Sequence, residues 1–481
     1  MLKQLNRTII HAPRPKERIL QFGGGNFLRC FVDWIIHRYN QQAARPLGVI
    51  VVKTTTRGDY EAWKRQDGLY HVRIKGIDGG TLVDKTERIE CITRIVHIHQ
   101  DWDAYLATAE LPDLRYIVSN TTESGIRLNA ADRVDDDPPQ EFPAKLTRWL
   151  YQRYQHFEGN ASAGCILLPC ELLEANGDAL RDAVLEQADA WRLERGFARW
   201  IKSANGFCNT LVDRIVPGIQ KNRLPEAWES LGFKDEMVTE GEPYHLWAIQ
   251  APETIRQELP LDQIGLNVVY TDDLTPYRTR KVRILNGAHT SMVPVGYLAG
   301  VESVREAVEH PVIGAFIRAI LFEEVIPSMD GPAADLERYA EDILDRFRNP
   351  YINHRLLSIS LNSISKFKVR VLPSLLRFYD LSGRLPRRLV IAFACLIRFY
   401  QGSWQGTSIP LNDGQEELEF MRLVWGDCDG SEEDVRLMVE QILAKNEWWN
   451  QDLRKVKGLE AAISSVLFMI EKEGIFSCIK T

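Results

Sequence analysis

The sequence predicts an α/β fold in which an N-terminal, doubly wound parallel sheet is followed by a mostly α-helical second half. Two observations predict it. Short apolar runs alternate with helical patterns in the first half, and apolar residues recur at helical spacing in the second. Strands that alternate with helices favour a parallel sheet covered on both faces, because each crossover helix packs on the sheet.

The strands of the first half are indicated by apolar runs that end in polar or glycine-rich segments. The expected strands are ERILQF, GVIVVKTTT, LRYIVSNTTESG and GCILLPCELL. The last of these leads into the helical segment DALRDAVLEQADAW. Two later runs, YHLWAIQAP and LNVVYTDDL, are expected to extend or flank the sheet.

The second half changes character from about Lys281 onward. Segments such as KVRILNGAHTSMVPVGYLAG and PRRLVIAFACLIRFYQG carry apolar residues at the 3.6-residue period of a helix. We therefore expect a sheet-bearing domain over residues 1–275 and a helical domain over residues 276–481. Since no long linker separates them, we expect the two to pack together with a cleft between them.

Composition narrows the classes of partner. The chain has 481 residues and a formal net charge of -7, so it has no basic excess for holding a nucleic-acid backbone. The N-terminal segment lacks the apolar core of a signal peptide. The sequence also has no stretch of about 20 apolar residues, the length that a membrane-spanning helix needs. We expect a cytoplasmic protein that acts on a small molecule.

Metal and disulfide chemistry are not expected. The eight cysteines contain no C-x-x-C pair, which favours buried reduced thiols over disulfides or structural zinc. His97 and His99 lie two residues apart on an expected strand. Two ligands do not complete a metal site, so a strand edge or polar surface is the preferred interpretation.

A glycine cluster follows the first strand directly and precedes a helix. Gly23 and Gly25 match the first two glycines of the dinucleotide-binding fingerprint, and Leu28 stands where the third glycine is expected. This placement predicts a Rossmann-like domain that holds a dinucleotide pyrophosphate at the helix N-terminus. The alternative is a tight turn without a ligand. The predicted cofactor-binding residues of this turn are Gly23, Gly24, Gly25, Asn26 and Phe27.

Two further segments bear on the cofactor. The acidic residue expected after the second strand, which would bind the adenosine ribose, is not evident, and Lys53 and Arg57 stand nearby. Such cations suit a 2′-phosphate, so local chemistry leaves NADP open. Thr122 and Glu123 follow a later strand, where doubly wound sheets place cofactor contacts, and we expect them to contact it. The alternative is an ordinary capped loop.

Three polar residues at the start of the helical half suit ketone reduction. At about 100° per residue, Asn286 lies about 140° and His289 about 80° from Lys281, so the three share one side of a helix. They offer a proton donor and hydrogen-bond donors for a carbonyl oxygen that gains negative charge. A solvated lysine, a capping asparagine and a core histidine are the alternative.

The segment KVRILNGAH resembles the active-site signature of the polyol-specific long-chain dehydrogenases, the mannitol 2-dehydrogenase family. Other blocks that resemble the family, in the same order, are FGGGNFLR, CELLEANG, TLVDRIVPG and RFRNPYINHRLLSISLNSISKF. The resemblance implies a metal-independent oxidoreductase that uses NAD, against the local hint of NADP. Within the family, the segments PYRTRKVRILNGAHTSMVPVGYLAG and FCNTLVDRIVPG look closest to members that reduce a ketouronate to an aldonate.

The resemblance also implies roles for individual residues. Lys281 would be the general acid/base, and Asn286 and Asn176 would polarise the carbonyl. His289 would orient the substrate. Asn176 has an alternative role as a turn residue before a glycine.

Asp213 would hydrogen-bond substrate hydroxyls or hold the catalytic groups, and its alternative role is an ion pair with Arg214.

A uronate substrate also needs a cation for its carboxylate, because burying that charge unpaired is costly. The candidates are Lys366, Arg370, Arg355 and Arg346, with Lys366 first and Arg370 next. Arg283 is expected to turn away from the catalytic side.

Other functions stay open at this point. A ketouronate reductase of the other stereochemistry and a neutral-polyol dehydrogenase are the alternative enzymes. A nucleotide-sensing regulator on the same sheet would need no lysine and no carbonyl-polarising amides, so the intact set of residues counts against it.

Overall fold

A computed structural model describes residues 2–56, 60–121 and 125–480. The chain divides into two compact units. Unit 1 comprises Met1–Lys75 and Leu82–Leu274, and unit 2 comprises Gly76–Thr81 and Thr275–Thr481.

The strands are β1 (Lys3–Gln4), β2 (Lys16–Phe22), β3 (Leu47–Lys53), β4 (Tyr70–Asp78), β5 (Thr81–Ile89), β6 (Ile92–His97), β7 (Tyr116–Ser119), β8 (Ile166–Pro169), β9 (Gly206–Phe207), β10 (Asn209–Asp213), β11 (Phe233–Lys234), β12 (Thr239–Gly241), β13 (Leu246–Gln250), β14 (Val268–Thr271), β15 (Ser403–Trp404) and β16 (Thr407–Ser408).

The α-helices of unit 1 are α1 (Arg7–Ile10), α2 (Asn26–Cys30), α3 (Val32–Asn40), α4 (Glu61–Arg65), α5 (Trp102–Ala107), α6 (Phe142–His156), α7 (Asn176–Ala190), α8 (Arg195–Ala204), α9 (Leu224–Leu231) and α10 (Glu253–Glu258). Those of unit 2 are α11 (Thr275–Arg280), α12 (Gly287–Leu298), α13 (Val304–Glu309), α14 (Pro311–Ala319), α15 (Ala333–Phe347), α16 (Leu356–Ile359), α17 (Ser363–Arg370), α18 (Leu372–Ser382), α19 (Arg387–Phe399), α20 (Gln415–Gly426), α21 (Glu432–Leu443), α22 (Asn446–Trp449), α23 (Leu459–Glu473) and α24 (Ile475–Ile479).

The main sheet of unit 1 has, within the described ranges, six strands in the order β6-β3-β2-β7-β8-β9. All neighbouring pairs among them are parallel. Numbered along the chain within this sheet, the order is 3-2-1-4-5-6, which is the order of dinucleotide-binding doubly wound folds. The predicted fold class is confirmed for this half of the chain.

Both faces of the main sheet are covered by helices. Side chains alternate between the two faces along each strand, so neighbouring residues enter different cores. On β3, Val49 and Val51 pack into a core that contains residues of α2 and α3. Ile50 and Val52 point the other way, into a core that contains residues of α5 to α8. The strand is buried throughout because it has helices on both sides.

The runs YHLWAIQAP and LNVVYTDDL form strands, but neither joins the main sheet. They are β13 and β14, which pair in parallel, and β10 pairs antiparallel with β13. The strands β4 and β5 form a further sheet with β12, which was not expected from the sequence.

Unit 2 is mainly helical, as predicted. Its interior is built on α12 and α19, which are buried along nearly their whole length and pack on each other. Phe367 of α17 and Trp449 of α22 extend this core, since their rings contact Phe393 of α19 at centroid distances of 4.5 and 5.2 Å. In the parts of the chain that the structure describes, no helix is long and apolar enough to cross a membrane.

Our first prediction concerns Gly177, in the first turn of α7. A Cβ atom there would lie 2.5 Å from the main-chain carbon and oxygen of Cys208 and 2.7 Å from the nitrogen of Asn209. Backbone cannot move aside cheaply, so Gly177→Ala should lower the free energy of unfolding by about 1–3 kcal/mol, measured by denaturant titration.

The matched control is Gly426→Ala, because Gly426 lies in α20 and a Cβ atom there would meet nothing within 4 Å. That variant should unfold like the wild type. Equal stability of the two variants would show that α7 does not need its close approach to the β9–β10 backbone.

Candidate functional site

The glycine turn connects β2 to α2. Gly23 has a φ of +109°, which side chains disfavour, and its N–H donates to the Val52 carbonyl at 3.0 Å. A Cβ on Gly24 would lie 3.1–3.3 Å from Tyr60, Trp63 and Val51. On Gly25 it would meet nothing within 4 Å. The turn is therefore packed at Gly24 and open at Gly25, the N-cap of α2, which leaves room for a pyrophosphate.

Asn26 and Phe27, predicted to bind the cofactor, also fix the start of the helix. The Asn26 side-chain oxygen accepts hydrogen bonds from Arg29 at 2.5 Å and from the Thr239 hydroxyl at 3.2 Å. Phe27 stacks on Phe31 with ring centroids 5.0 Å apart. These contacts orient α2 beneath the turn, whereas any contact of the two residues with a cofactor stays a prediction.

Lys53 ends β3 and is buried. Its Nζ lies 4.9 Å from the ring centroid of Tyr60, the residue that packs against Gly24. In the register of the sheet, Lys53 pairs with His97. Burial, followed by the nearby charge of Lys53, lowers the pKa of His97. Lys53 is thus a packed residue behind the turn, and Arg57 lies outside the described residues.

His97 and His99 contact each other rather than a shared third group. The main-chain N–H of His99 donates to Nδ1 of His97 at 3.2 Å, and Nε2 of His99 lies 3.1 Å from the Thr54 carbonyl. Over the described residues, no group of three or more His, Cys, Asp or Glu side chains is placed to hold a metal ion.

The loop after β7 is tied to the end of β8 by Glu171, which the sequence analysis did not single out. The buried Glu171 carboxylate accepts hydrogen bonds from Ser119 at 3.1 Å and from the Thr121 N–H at 2.9 Å. Asn120 donates to the Cys170 carbonyl at 2.7 Å. Thr122 and Glu123, which we expected to contact the cofactor, lie outside the described residues.

Asn176 is buried at the start of α7, and its amide is engaged. Its Nδ2 lies within hydrogen-bond distance of the carbonyls of Pro169, Glu171 and Thr210, at 3.0–3.2 Å. Its Oδ1 accepts from the Thr210 N–H at 2.8 Å. An amide nitrogen has only two hydrogens, so donation to a substrate carbonyl would require one of these bonds to be given up.

Asp213 is buried at the end of β10. The neighbouring Arg214 hydrogen-bonds main-chain carbonyls and packs on an aromatic ring. It donates to the carbonyls of Glu242 at 2.8 Å and Cys30 at 2.6 Å, and its guanidinium lies 4.4 Å from the Trp34 ring centroid. Burial lowers the pKa of Arg214.

The segment Lys281–Asn286 of unit 2 is a π-helix, not the α-helix assumed from the sequence. In a π-helix each hydrogen bond spans five residues, so Asn286 stands slightly more than one turn from Lys281 and close to the same side. His289 follows three residues later in α12, again on that side. The wider turn therefore aligns the three residues more closely than the predicted α-helix would.

His289 is buried and its ring packs on two others. Its centroid lies 4.3 Å from that of Phe347 and 5.1 Å from that of His354. Lys281 and Asn286, the first and last residues of the segment, are partly exposed. This side of the helix therefore carries one buried imidazole and two accessible polar groups.

Gly287 allows the end of α17 to lie close beside this segment. A Cβ on Gly287 would lie 3.1 Å from the carbonyl oxygen of Arg370, so the glycine permits this close approach. The Arg370 guanidinium reaches the Thr290 hydroxyl at 3.5 Å. Arg370 therefore lies next to the segment that carries Asn286 and His289.

The other candidate cations differ in how they are bonded. Lys366 donates to the Ile359 carbonyl at 2.8 Å, and burial lowers its pKa. Arg355 forms an exposed ion pair with Glu302 at 3.3 Å. Arg346 is buried.

Arg283, which sequence reasoning set aside, is half-buried against α18. Its Nε donates to the Ser374 hydroxyl at 2.6 Å, and burial lowers its pKa to about 10. Burial likewise lowers the pKa of Arg370. Of the carboxylates that the structure describes, none lies within ion-pair distance of Arg283 or Arg370. Two partly desolvated cations that lack an internal counter-ion suit an acidic ligand.

Comparisons with known proteins cover both units. Residues 17–263 match the mannitol dehydrogenase Rossmann domain, and residues 273–470 match the mannitol dehydrogenase C-terminal domain. Altronate oxidoreductase of Bacillus subtilis (strain 168) is 43% identical over 477 residues, covering 98% of this chain and 97% of that protein. Altronate oxidoreductase of Shigella flexneri is 41% identical over 480 residues, covering 100% and 99%.

Solved structures agree on the fold. A substrate-free D-sorbitol dehydrogenase matches with a TM-score of 0.81 at 21% identity, covering 99% of this chain and 100% of that one. Pseudomonas fluorescens mannitol 2-dehydrogenase, solved with NAD and D-mannitol, matches with a TM-score of 0.67 at 21% identity, covering 99% of each chain. With both domain models matched and 41–43% identity along the whole length, the chain belongs to the mannitol dehydrogenase family.

Proposed function

We propose that this chain is an NAD-dependent tagaturonate reductase, which interconverts altronate and tagaturonate in hexuronate catabolism. The observation that carries the chemistry is the π-helical turn that puts Lys281, Asn286 and His289 on one side. The substrate is inferred from the altronate oxidoreductases, which are 41–43% identical over nearly the whole chain.

Lys281, Asn286 and His289 would each have a separate role in converting a carbinol to a ketone and back. Lys281 Nζ would take the hydroxyl proton during oxidation and return it during reduction. The Asn286 amide would donate a hydrogen bond to the same oxygen, which carries negative charge as the bond order changes. His289, held against Phe347, would orient the substrate. NAD, when bound, supplies the site that accepts or gives the hydride.

The glycine turn fits the dinucleotide. The open side of Gly25 would admit the pyrophosphate to the N-terminus of α2. Lys53 does not present a free surface cation to a 2′-phosphate, since it is buried against Tyr60. This burial supports a preference for NAD over NADP and removes much of the hint that the sequence carried.

The substrate carboxylate is assigned to Arg370, with Arg283 as the second candidate. Both guanidiniums are partly desolvated, and each makes one hydrogen bond to a hydroxyl. Lys366 ranks lower than it did from the sequence because its ammonium already donates to a main-chain carbonyl.

The test of the proposal is oxidation of NADH and of NADPH by the purified chain against tagaturonate, fructuronate, fructose and xylulose. We expect tagaturonate with NADH to give the highest kcat/KM. A higher value with fructuronate would point to the sibling ketouronate reductase, and a higher value with fructose or xylulose would point to a neutral-polyol dehydrogenase.

The second prediction concerns the cofactor turn. Gly25→Ala should weaken NADH binding at least tenfold, or about 1.4 kcal/mol, because the methyl group occupies the space left for the pyrophosphate. Its melting temperature should not change, since the methyl group meets nothing within 4 Å. Binding is measured by titrating the fluorescence of NADH.

Gly24→Ala is the contrasting variant, because its methyl group would press on Tyr60 and Trp63 and so lower the melting temperature. Wild-type NADH affinity in Gly25→Ala would rule out this turn as the pyrophosphate site.

The third prediction is that Lys281→Ala lowers kcat at least ~100-fold while NADH binding stays close to that of the wild type, because the lysine moves the proton and does not hold the cofactor. Steady-state kinetics and NADH titration measure the two effects. Lys457→Ala, at an exposed lysine of the same unit, is the control. Near-normal turnover in Lys281→Ala, together with lost turnover in His289→Ala, would reassign the proton to the histidine.

The fourth prediction is that Arg370→Met raises the KM for tagaturonate by about 10- to 100-fold, the range expected when one hydrogen bond to a charged group is lost. Arg283→Met is measured in parallel, and the larger KM effect identifies the main carboxylate ligand. Arg355→Met, which breaks only an exposed ion pair, should leave KM unchanged. Unchanged KM in both Arg370→Met and Arg283→Met would place the carboxylate elsewhere.

A further inference from the structure

A carboxyl group is fully buried directly behind the glycine turn. Asp33, in the first turn of α3, has 0% of its surface exposed. Its Oδ2 lies 2.8 Å from the Tyr70 hydroxyl, and the Gln21 side chain lies close enough to lower the pKa of its carboxyl group. Neither the proton transfer nor the cofactor turn proposed above makes use of this acid, so its burial needs a separate explanation.

Among the described residues, the hydrogen bonds that reach the Asp33 carboxyl group are one donor short for an ionised carboxylate. Tyr70 has one hydroxyl hydrogen, yet its oxygen lies near two acceptors, Oδ2 of Asp33 and, at 3.1 Å, the carbonyl of Arg29. On the other side, Oδ1 of Asp33 and Oε1 of Gln21 are both buried, and neither has a hydrogen-bond partner in the part of the chain that the structure describes. A proton on Asp33 adds the missing donor, either toward Tyr70 or toward Gln21.

Gln21 connects this acid to the turn. It is the penultimate residue of β2 and is fully buried, and its Nε2 donates to the Gly23 carbonyl at 3.2 Å. Gly23 holds the positive φ on which the turn depends. The side chain next to Asp33 therefore also hydrogen-bonds the first carbonyl of the cofactor turn.

We propose that Asp33 is kept as a neutral acid and acts as a positioning residue, holding the Gln21 amide so that Gln21 holds the Gly23 carbonyl. The cofactor part of this inference rests on the proposed function. Asp33 itself would not touch the dinucleotide, and its effect would be transmitted through Gln21 to the shape of the turn.

The charged and titratable neighbours of Asp33 come from several elements. They are Arg29 on α2, Tyr70 on β4, Tyr60 before α4 and Cys91 before β6, whose thiol donates to the Asp33 carbonyl at 3.4 Å. Burial raises the pKa of the Asp33 carboxyl to about 7, against the lowering effects of Tyr70, Gln21 and Arg29.

Arg29 defines the competing interpretation, in which Asp33 is an ionised counter-ion. The Arg29 guanidinium donates instead to Asn26 and to the Met237 carbonyl and lies 5.8 Å from the centroid of the Tyr70 ring. Burial lowers the pKa of Arg29. The two interpretations differ in one respect, namely whether an amide can replace the acid.

The raised pKa fixes the direction of the pH effect. The folded pKa of about 7 lies above the unfolded value of about 3.9, so the stability from Asp33 is fully present below pH ~4 and is lost as pH rises through about 7. Asp33→Asn cannot ionise, and its amide can donate to Gln21 while its oxygen accepts from Tyr70. It should remove this part of the pH dependence.

The experiment compares wild type, Asp33→Asn, Asp33→Ala and Gln21→Met by NADH fluorescence titration and by thermal unfolding of the cofactor-free protein at pH 6 and pH 8. We expect Asp33→Asn to bind NADH like the wild type at pH 6 and at least as well at pH 8. Asp33→Ala and Gln21→Met should each weaken binding by about tenfold, the worth of one buried hydrogen bond. Asp103→Asn, at an exposed aspartate of α5, is the matched control and should behave like the wild type.

Two results would overturn the inference. One is an Asp33→Asn protein as destabilised as Asp33→Ala, which is the outcome expected of a lost counter-ion. The other is normal NADH binding in Gln21→Met, which tests the link even if Asp33→Ala does not fold. A wild-type chain that binds no NADH would instead overturn the proposed function, and the unfolding profiles would still test the neutral state of Asp33.

Discussion

The constraint on which unit 1 depends is that β2 lies between β3 and β7 in a parallel sheet. The chain leaves β2 at the point where the strand order reverses, so the crossovers on its two sides run to opposite faces and leave a crevice at the strand ends. Gly23 lies at that point. Its N–H bonds the end of β3, and a Cβ on it would lie 3.8 Å from the Asn120 carbonyl after β7.

In unit 2, the placement of the candidate catalytic residues depends on an irregular turn. The π-helical segment keeps Ile284 and Leu285 buried while Lys281 and Asn286 stay accessible on the side that also carries His289. A regular α-helix would offset the first two residues by about 140°. Single π-turns inside α-helices are rare and occur frequently at functional sites. The packing of Gly287 on the end of α17 holds the turn in place.

Features with a strong local pattern were predictable, and features set by distant partners were not. The glycine turn and the parallel strands follow from apolar runs bounded by glycine or polar residues, and the structure confirms the fold class. The strands β13 and β14 were predicted, but their pairing with β10 in a separate sheet was not, because strand partners that are distant in sequence leave no periodic signal. The strands β4 and β5 carry alternating apolar and polar residues on either side of Gly79 and Gly80. This pattern is typical of a hairpin and could have predicted the two strands.

Among the site residues, the limits of sequence reasoning have a physical cause in each case. The angular estimate for Arg283 assumed α-helical geometry, whereas the segment that carries it is a π-helix. Glu171 accepts from the Ser119 hydroxyl and the Thr121 N–H, and no pattern of residue types reveals these bonds. The bonds of Asn176 to main-chain carbonyls are likewise invisible in the sequence. In the sequence, Asp33 resembles an ordinary charged residue at a helix start, and only the packing around it shows that the acid is enclosed.

The arginines show what separates a structural cation from one that can bind a ligand. Arg7 sends all five guanidinium hydrogens to main-chain carbonyls, and Arg153 makes four such bonds. The fold therefore fills the hydrogen-bonding capacity of Arg7 and all but one donor of Arg153. Arg283 and Arg370 are also desolvated, but the described residues offer each a single hydroxyl. Unfilled donor capacity, rather than burial, is what distinguishes them. For this reason Arg283 is a candidate carboxylate ligand together with Arg370, although the α-helical angle had predicted that Arg283 points away from the catalytic side.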